Sequence, residues 1–148
     1  KGGGAGTRGT RAKRRFVLDD QLRVGFGEID GDHAKLFELI ENFEESIRAQ
    51  DHDEMALNLK ELFGYTIWHF SHEEQLMRDT EYPLFEQHLQ EHEALKTTVT
   101  EIKQKFEDGD DQILAGVPDI LRDWVVSHIQ RVDKLLGRFL AATMEKPD

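Results

Sequence analysis

The most restrictive feature of this chain is an apolar stripe that contains two histidines. Its members are Phe85, His88, His92, Leu95, Val99, Ile102 and Phe106. The steps of three and four residues are those of the buried face of an α-helix in a bundle. A polar group in an apolar core costs roughly 2–7 kcal/mol unless it has a partner. Two imidazoles one turn apart, at a metal-chelating spacing, therefore predict a partner between the helices.

Three other segments carry histidine on their apolar faces. His33 begins the apolar face of the first helical pattern, and His128 lies within that of the last long one. His69 and Glu73 stand four residues apart on the second, where a buried carboxylate needs a cation or a proton. Asp133 follows His128 by five residues, about 140° away on a regular helix. We include Asp133 on its chemistry alone: either it bridges to a second centre or the helix changes direction near it.

The candidate residues are five imidazoles and two carboxylates. Such a set suits iron, zinc, manganese or copper better than calcium or magnesium. It exceeds the needs of one tetrahedral ion and is about right for two adjacent ions that share carboxylates. For each histidine alone, a hydrogen-bonded core residue is the usual alternative. His52 and His72 are predicted not to be ligands, and Glu74 and Glu91 are predicted to be solvated charges.

Turn and cap residues divide the chain into helices, and no segment has a strand pattern. Helices are expected at roughly 32–49, 53–79, from Tyr82-Pro83 to about 108, 111–131 and 134–143. Gly116 and Pro118 are expected to disturb the start of the fourth helix, and Asp108-Gly109-Asp110 is expected to form a turn. Short connections between long amphipathic helices predict an all-α, up-down-up-down four-helix bundle with a short C-terminal helix.

The charge distribution separates a basic beginning from an acidic remainder. Residues 1–15 hold six of the 19 Lys and Arg residues and no acidic residue, which leaves 13 basic against 30 acidic residues elsewhere. The acidic remainder argues against nucleic acid as a partner. We expect residues 1–16 to be a flexible, basic, Gly-rich linker or tag and residues 17–148 to be one domain. An arm for nucleic acid or an anionic membrane is the alternative for the basic segment.

Several classes of site are excluded by composition. Cysteine is absent, which excludes disulfides, iron–sulfur clusters and thiolate zinc sites. No stretch approaches the ~18 apolar residues of a membrane span, and no secretory signal is present. We therefore expect no membrane insertion and a cytoplasmic location. Ferritin-like di-iron oxidases use Glu-x-x-His and zinc proteases use His-Glu-x-x-His, and neither motif occurs in this chain.

Taken in order, these residues resemble the hemerythrin family in its bacterial, single-domain form. The resemblance covers about residues 18–140. The matching pieces are Val24-Gly25, Ile29-Asp30, Asp32-His33, the run from His69 to Met77, Tyr82-Pro83, His88, His92, the run from Trp124 to Ile129, and Asp133.

The resemblance implies two irons, cycling between Fe2+ and Fe3+. One iron would be held by His88, His92 and His128 and the other by His33 and His69. Glu73, Asp133 and an oxo or hydroxo group would bridge them. The iron held by two histidines would keep a coordination position open, and there the family binds dioxygen as hydroperoxide.

The implied function is reversible dioxygen binding for storage, delivery or sensing, not enzymatic catalysis. Small anions are further expected ligands of the oxidised site. The expected pocket wall consists of Phe37, Ile40, Trp124 and Val125. Val125 stands where relatives often carry leucine. Two alternatives stay open: an oxygen- or redox-sensing domain with a signalling domain attached upstream, and a di-iron enzyme acting on peroxide or nitric oxide.

Overall fold

Four long helical segments form the bundle that the sequence predicts. The structure is a computed structural model that describes residues 18–144, apart from the side chains of residues 111–113. Residues 1–16, predicted as a linker or tag, lie outside the described residues. The helices are α1 (Gly27–Arg48), α2 (His52–Thr80), α3 (Phe85–Glu107), α4 (Val117–His128) and α5 (Lys134–Met144). Helix α1 packs against α2 and α4, and α2 packs against α3 and α5.

Helix α1 begins five residues earlier than predicted. The sequence placed its start after Gly31-Asp32, but the helix already begins at Gly27. The Asp30 carboxylate accepts the backbone N–H groups of Val24 at 2.7 Å and Gly25 at 3.4 Å. An acidic residue in the first turn also favours the helix N-terminus through the helix dipole. The first turn thus fastens the preceding segment, and Gly31 is accommodated inside the helix.

The beginning of the fourth helix is irregular in the region of Gly116 and Pro118, as predicted. Asp111–Gly116 forms a 3₁₀ helix, and the α-helix starts only at Val117. Proline lacks a backbone N–H and fits only the first turn of a helix. Pro118 occupies that first turn and is buried. The disturbance predicted from Gly116 and Pro118 is therefore present, and the regular α-helix begins at Val117 and not at residue 111. The predicted turn at Gly109 is present, with a φ of +85°.

Helix α4 runs into α5 through a single π-helical turn, Ile129–Asp133. The backbone N–H of Lys134 donates to the carbonyl oxygen of Ile129, five residues back. In such a turn, residues five apart approach the same face. Asp133 is consequently buried at 0% exposure. The short C-terminal helix exists as predicted, but it is continuous with α4.

The segment before α1 packs closely on α5. A Cβ atom on Gly137 would overlap the backbone carbonyl oxygen of Val24. Leu136, Gly137 and Leu140 are the buried residues of α5. None of the helices within residues 18–144 combines the length and apolar character needed to cross a bilayer.

Candidate metal centre

The structure brings the five predicted imidazoles and two predicted carboxylates together in the middle of the bundle. His33 comes from α1, His69 and Glu73 from α2, His88 and His92 from α3, His128 from α4, and Asp133 from the π turn. All seven are buried, with at most 5% exposure. Each side chain occupies the inward face of its helix, so apolar periodicity and ligand spacing coincide.

Glu73 lies between two sets of imidazoles, with one oxygen facing each set. Its Oε1 is 3.0 Å from Nε2 of both His88 and His92. Its Oε2 is 3.1 Å from Nε2 of His69 and 3.6 Å from Nε2 of His33.

Asp133 divides its oxygens in the same way. Oδ1 lies 3.1 Å from Nε2 of His88 and 3.2 Å from Nε2 of His128, while Oδ2 lies 3.0 Å from Nε2 of His33. The π turn makes this possible, because it carries a residue five positions after His128 back toward the same face. Both explanations left open for Asp133 therefore fit the structure, since the helix changes locally and the two carboxylate oxygens face different sets of imidazoles.

Two overlapping groups have the composition and spacing of metal sites. One consists of Glu73, His88, His92, His128 and Asp133, and the other of His33, His69, Glu73 and Asp133. Within each group the potential ligand atoms lie within 4.8 Å of one another. Glu73 and Asp133 belong to both groups, so the arrangement has room for two adjacent ions that share carboxylates.

Unpartnered polar atoms in this cluster fit a pair of metal ions. The buried atoms without a hydrogen-bond partner include Nε2 of His33, His69 and His128, Oε2 of Glu73 and both carboxylate oxygens of Asp133. Such atoms are costly in a core unless something satisfies them. Imidazole and carboxylate donors suit iron among the transition metals.

The cluster is strongly coupled electrostatically. Burial disfavours the imidazolium of His69, but Glu73 and Asp32 outweigh it and raise the His69 pKa to about 10. Burial likewise opposes the charge on His88, yet Asp133 and Glu73 raise its pKa to about 9.

The two carboxylates shift in the opposite sense. Burial alone would raise the pKa of Glu73, but the imidazoles of His69, His33 and His88 bring it well below its usual range. Burial and the nearby Glu73 charge would raise the pKa of Asp133. The imidazoles of His128 and His33 outweigh both and bring this pKa well below its usual range.

Three carboxylates contact the Nδ1 atoms of the imidazoles, on the side away from the centre of the cluster. The sequence analysis did not predict these contacts. Asp32 Oδ2 lies 2.8 Å from Nδ1 of His69, and Glu74 Oε2 lies 2.9 Å from Nδ1 of His92. Glu91 Oε1 lies 3.4 Å from Nδ1 of His128. The prediction that Glu74 is a solvated charge was wrong, since it is only 7% exposed. Its position next to Glu73 in the sequence was the only available signal.

Neither of the two histidines predicted not to be ligands belongs to these two groups, although His72 forms a third candidate metal group with Asp32 and His69. His72 is on the outer side of α2, where its Nδ1 is 2.6 Å from Asp32 Oδ2 and its Nε2 is 3.0 Å from Glu28 Oε1. His52 begins α2 and stacks on Phe106, with 5.0 Å between ring centroids.

An apolar cavity adjoins one side of the cluster. Ile40, Trp124 and Val125, three of the four residues predicted to wall an oxygen pocket, line this cavity, and so do His33 and His69. Phe37 is buried but is not among the lining residues, so that prediction does not match this cavity.

Phe70 is a lining residue that the sequence analysis missed. Its ring stacks on His92 with 4.0 Å between centroids. His128 and Asp133 also reach the cavity, whereas His88 and His92 do not.

Comparisons with known proteins agree with this geometry. The model of the family described as "Hemerythrin HHE cation binding domain" matches residues 24–140. A bacteriohemerythrin of Methylococcus capsulatus is 31% identical over 119 residues, covering 80% of this chain and 89% of the relative. Myohemerythrin-1 of Phascolopsis gouldii is 28% identical over 118 residues, covering 80% and 88%.

A crystal structure of wild-type hemerythrin superimposes with a TM-score of 0.75. It is 29% identical in sequence, and the match covers 80% of this chain and 91% of that one. The similarity extends over the described bundle.

Proposed function

The chain belongs to the hemerythrin family, and on this basis we propose that it binds dioxygen reversibly at a di-iron centre. The observation that carries this proposal is the division of the Glu73 and Asp133 oxygens between two sets of imidazoles. When bound, the two irons supply the electrons for reversible dioxygen binding.

The proposed ligand sets follow the two groups in the cluster. His88, His92 and His128 would hold one iron, and His33 and His69 would hold the other. Glu73 and Asp133, which belong to both groups, would be ligands shared by the two irons. The support for this division is that each carboxylate has one oxygen nearer to each set.

The side open to oxygen is proposed to be that of His33 and His69. This set has one imidazole fewer than the other, and both of its members line the apolar cavity. His88 and His92 lie outside the cavity lining, although His128 reaches it.

The cavity wall is proposed to keep water and protons away from the bound gas. Leu36, Ile40, Leu62 and Val125 contribute aliphatic side chains to it. Among the described residues that line the cavity, Thr66 alone has a hydroxyl, which donates to the carbonyl oxygen of Leu62 at 2.8 Å. The chain thus offers the gas an apolar surface next to the His33 and His69 side.

A histidine-rich set favours binding over turnover, so we propose a binding protein and not an enzyme. Assays with peroxide or nitric oxide on the ferrous protein should then return stoichiometric binding, and sustained turnover would contradict the proposal.

Three expectations stay predictions from the sequence. They are small anions as ligands, a signalling domain upstream and a cytoplasmic location.

An anaerobic absorption experiment tests the proposed function. The full chain is loaded with Fe2+ under argon, exposed to oxygen, and then returned to argon. We expect a visible band that appears with one O2 per two irons and disappears when oxygen is removed. A permanent spectral change on first exposure would contradict reversible binding. Failure to take up two irons would contradict the proposed centre itself.

A further inference from the structure

One polar network in the protein connects the cluster to the surface on the His33 and His69 side. Asp32 is almost completely buried in α1, at 7% exposure. Its Oδ2 is 2.8 Å from Nδ1 of His69 and 2.6 Å from Nδ1 of His72. His69 and His72 lie one turn apart on α2, so a single carboxylate oxygen joins both rings to α1.

The hydrogen bond to Asp32 determines which nitrogen of His69 faces the cluster. When Nδ1–H of a neutral imidazole donates to a carboxylate, the lone pair of the ring is left on Nε2 for a metal ion, and the ring is held in one orientation. Nε2 of His69 is buried, lacks a hydrogen-bond partner and lies 3.1 Å from Glu73 Oε2.

The half of the cluster that holds His33 and His69 has fewer outer carboxylates than the opposite half. His33, the second imidazole on this side, has a buried Nδ1 without a hydrogen-bond partner. Asp32 is therefore the one outer carboxylate that the described residues give to this half. The opposite half has two, Glu74 behind His92 and Glu91 behind His128.

His72 contacts the Asp32 carboxylate from the outer side of α2. Its second nitrogen, Nε2, is 3.0 Å from Glu28 Oε1, and its ring lies 5.0 Å from the ring of Trp68. The hydroxyl of Tyr65 lies 3.4 Å from the other oxygen of Asp32. The carboxylate is thus contacted on both of its oxygens before any ion binds to His69.

We propose that Asp32 is a positioning residue for the metal site of His33 and His69, and that His72 acts on this site through Asp32. The inference rests on the proposed function in that it takes this half of the cluster to hold a metal ion. It assigns roles to two residues that contact no ion themselves.

Zinc binding to the full chain tests this inference without oxygen chemistry. Metal-free wild-type protein and the Asp32→Ala, Asp32→Asn and His72→Ala variants are titrated with Zn2+ against a competing chelator. Removal of an outer-shell partner typically costs 10–100-fold in metal affinity, and we expect this loss for one of the two ions in Asp32→Ala. Asp32→Asn should recover most of the affinity, because its amide oxygen still accepts both Nδ1–H bonds. His72→Ala should keep both ions with a smaller loss at the same site.

Nitrogen NMR of 15N-histidine-labelled, zinc-loaded protein shows which imidazole is affected. We expect the His69 Nδ1–H signal to shift or exchange rapidly in Asp32→Ala, while the His92 Nδ1–H signal stays unchanged. Glu74→Ala is the matched control, and there the His92 signal should change while His69 keeps its own. This pattern is not expected from a residue that only stabilises the fold.

The outcomes separate the inference from the proposed function. Wild-type affinities and an unchanged His69 signal in Asp32→Ala, with two ions bound to the wild type, would overturn the inference alone. Equal weakening of both ions in Asp32→Ala would also overturn it, since the residue would then be merely structural. A wild-type chain that binds fewer than two ions would overturn both. If Asp32→Ala fails to fold, His72→Ala decides, because wild-type affinities for both ions in that variant would overturn the inference.

Discussion

The backbone N–H of Lys134 is bonded to the carbonyl oxygen of Ile129, five residues earlier and not four. This hydrogen bond closes the π turn, and it changes which side of the last helix is buried. Leu135 continues the apolar stripe in the sequence but is 44% exposed, whereas Leu136 is fully buried.

Alanine substitutions at these two neighbours test the change of register. We expect Leu136→Ala to cost about 2–5 kcal/mol of unfolding free energy because it leaves a cavity in the core. Leu135→Ala should stay within about 0.5 kcal/mol of the wild type, as exposed substitutions do. Urea denaturation followed by circular dichroism measures both. The reverse order of effects would mean that the regular helical stripe continues past Asp133.

Metal binding is expected to release protons. At pH 7 the imidazoles of His69 and His88 are protonated in the metal-free protein, since their pKa values are about 10 and about 9. A coordinating imidazole must be neutral, so binding displaces at least these two protons. Calorimetry of zinc binding in two buffers with different ionisation enthalpies measures the number. Affinity should rise with pH up to about 9–10, and a pH-independent affinity would contradict the expectation.

The same groups give the metal-free protein a pH-dependent stability. A histidine whose pKa is higher in the folded state stabilises the fold fully below its unfolded pKa of about 6.5. That contribution is lost as pH rises through the folded values of about 9 and about 10. We expect the melting temperature of the metal-free protein to fall between pH 7 and 10. The melting temperature of the zinc-loaded protein should fall less over this pH range, because its imidazoles no longer titrate.

Metal content should distinguish cluster residues from their neighbours in sequence. Glu73→Gln is expected to lose both ions, since the two oxygens of Glu73 face different sets of imidazoles. His88→Ala should lose metal as well. His72→Ala should still bind two equivalents, because His72 lies on the outer side of α2. Elemental analysis after gel filtration gives the counts, and loss of all metal from His72→Ala would refute our ligand assignment on this helix.

A pair of glycine substitutions tests the docking of the segment before α1. Gly137→Ala places a Cβ against the carbonyl oxygen of Val24, and we expect a loss of about 1–3 kcal/mol from this overpacking. Gly64→Ala meets no atom within 4 Å and should instead stabilise α2 by roughly 0.5–1 kcal/mol. Thermal unfolding compares the two, and equal effects would argue against the close contact.

Val125 should control entry into the cavity next to the cluster. Val125→Ala widens the space and Val125→Leu narrows it, so azide should bind to the oxidised, iron-loaded protein faster in the first and slower in the second. Stopped-flow absorbance measures these rates. Ile120→Ala is the control, because Ile120 is exposed on the same helix and does not line the cavity. Equal rates in all four proteins would show that entry takes another route.

Sequence reasoning succeeded where side-chain periodicity alone determines position. His33, His69, Glu73, His88, His92 and His128 were placed on inward faces because each lies on a regular helix, and the structure brings them together. Reasoning by periodicity failed at the π turn, since an insertion of this kind depends on tertiary packing and leaves no local pattern. Asp133 and Leu135 are the residues affected.

The outer carboxylates were missed for a related reason. Glu74 and Glu91 were predicted to be solvated charges, as acidic residues usually are, and Asp32 was assigned no contact with the site. Only the approach of a neighbouring helix shows that Asp32 meets His69 and that Glu74 meets His92. Likewise, Phe37 and Ile40 lie on one apolar face in the sequence, and packing decides that only Ile40 lines the cavity.

The cluster carries its own counter-charge, because imidazoles that take up protons surround Glu73 and Asp133. We therefore expect the metal-free chain to fold with protons on His69 and His88 in the place of the ions. Iron binding to such a scaffold would release those protons. In an iron-poor cell the newly made protein would persist as a folded reserve, and the supply of iron, not the time needed for folding, would set how much of it matures.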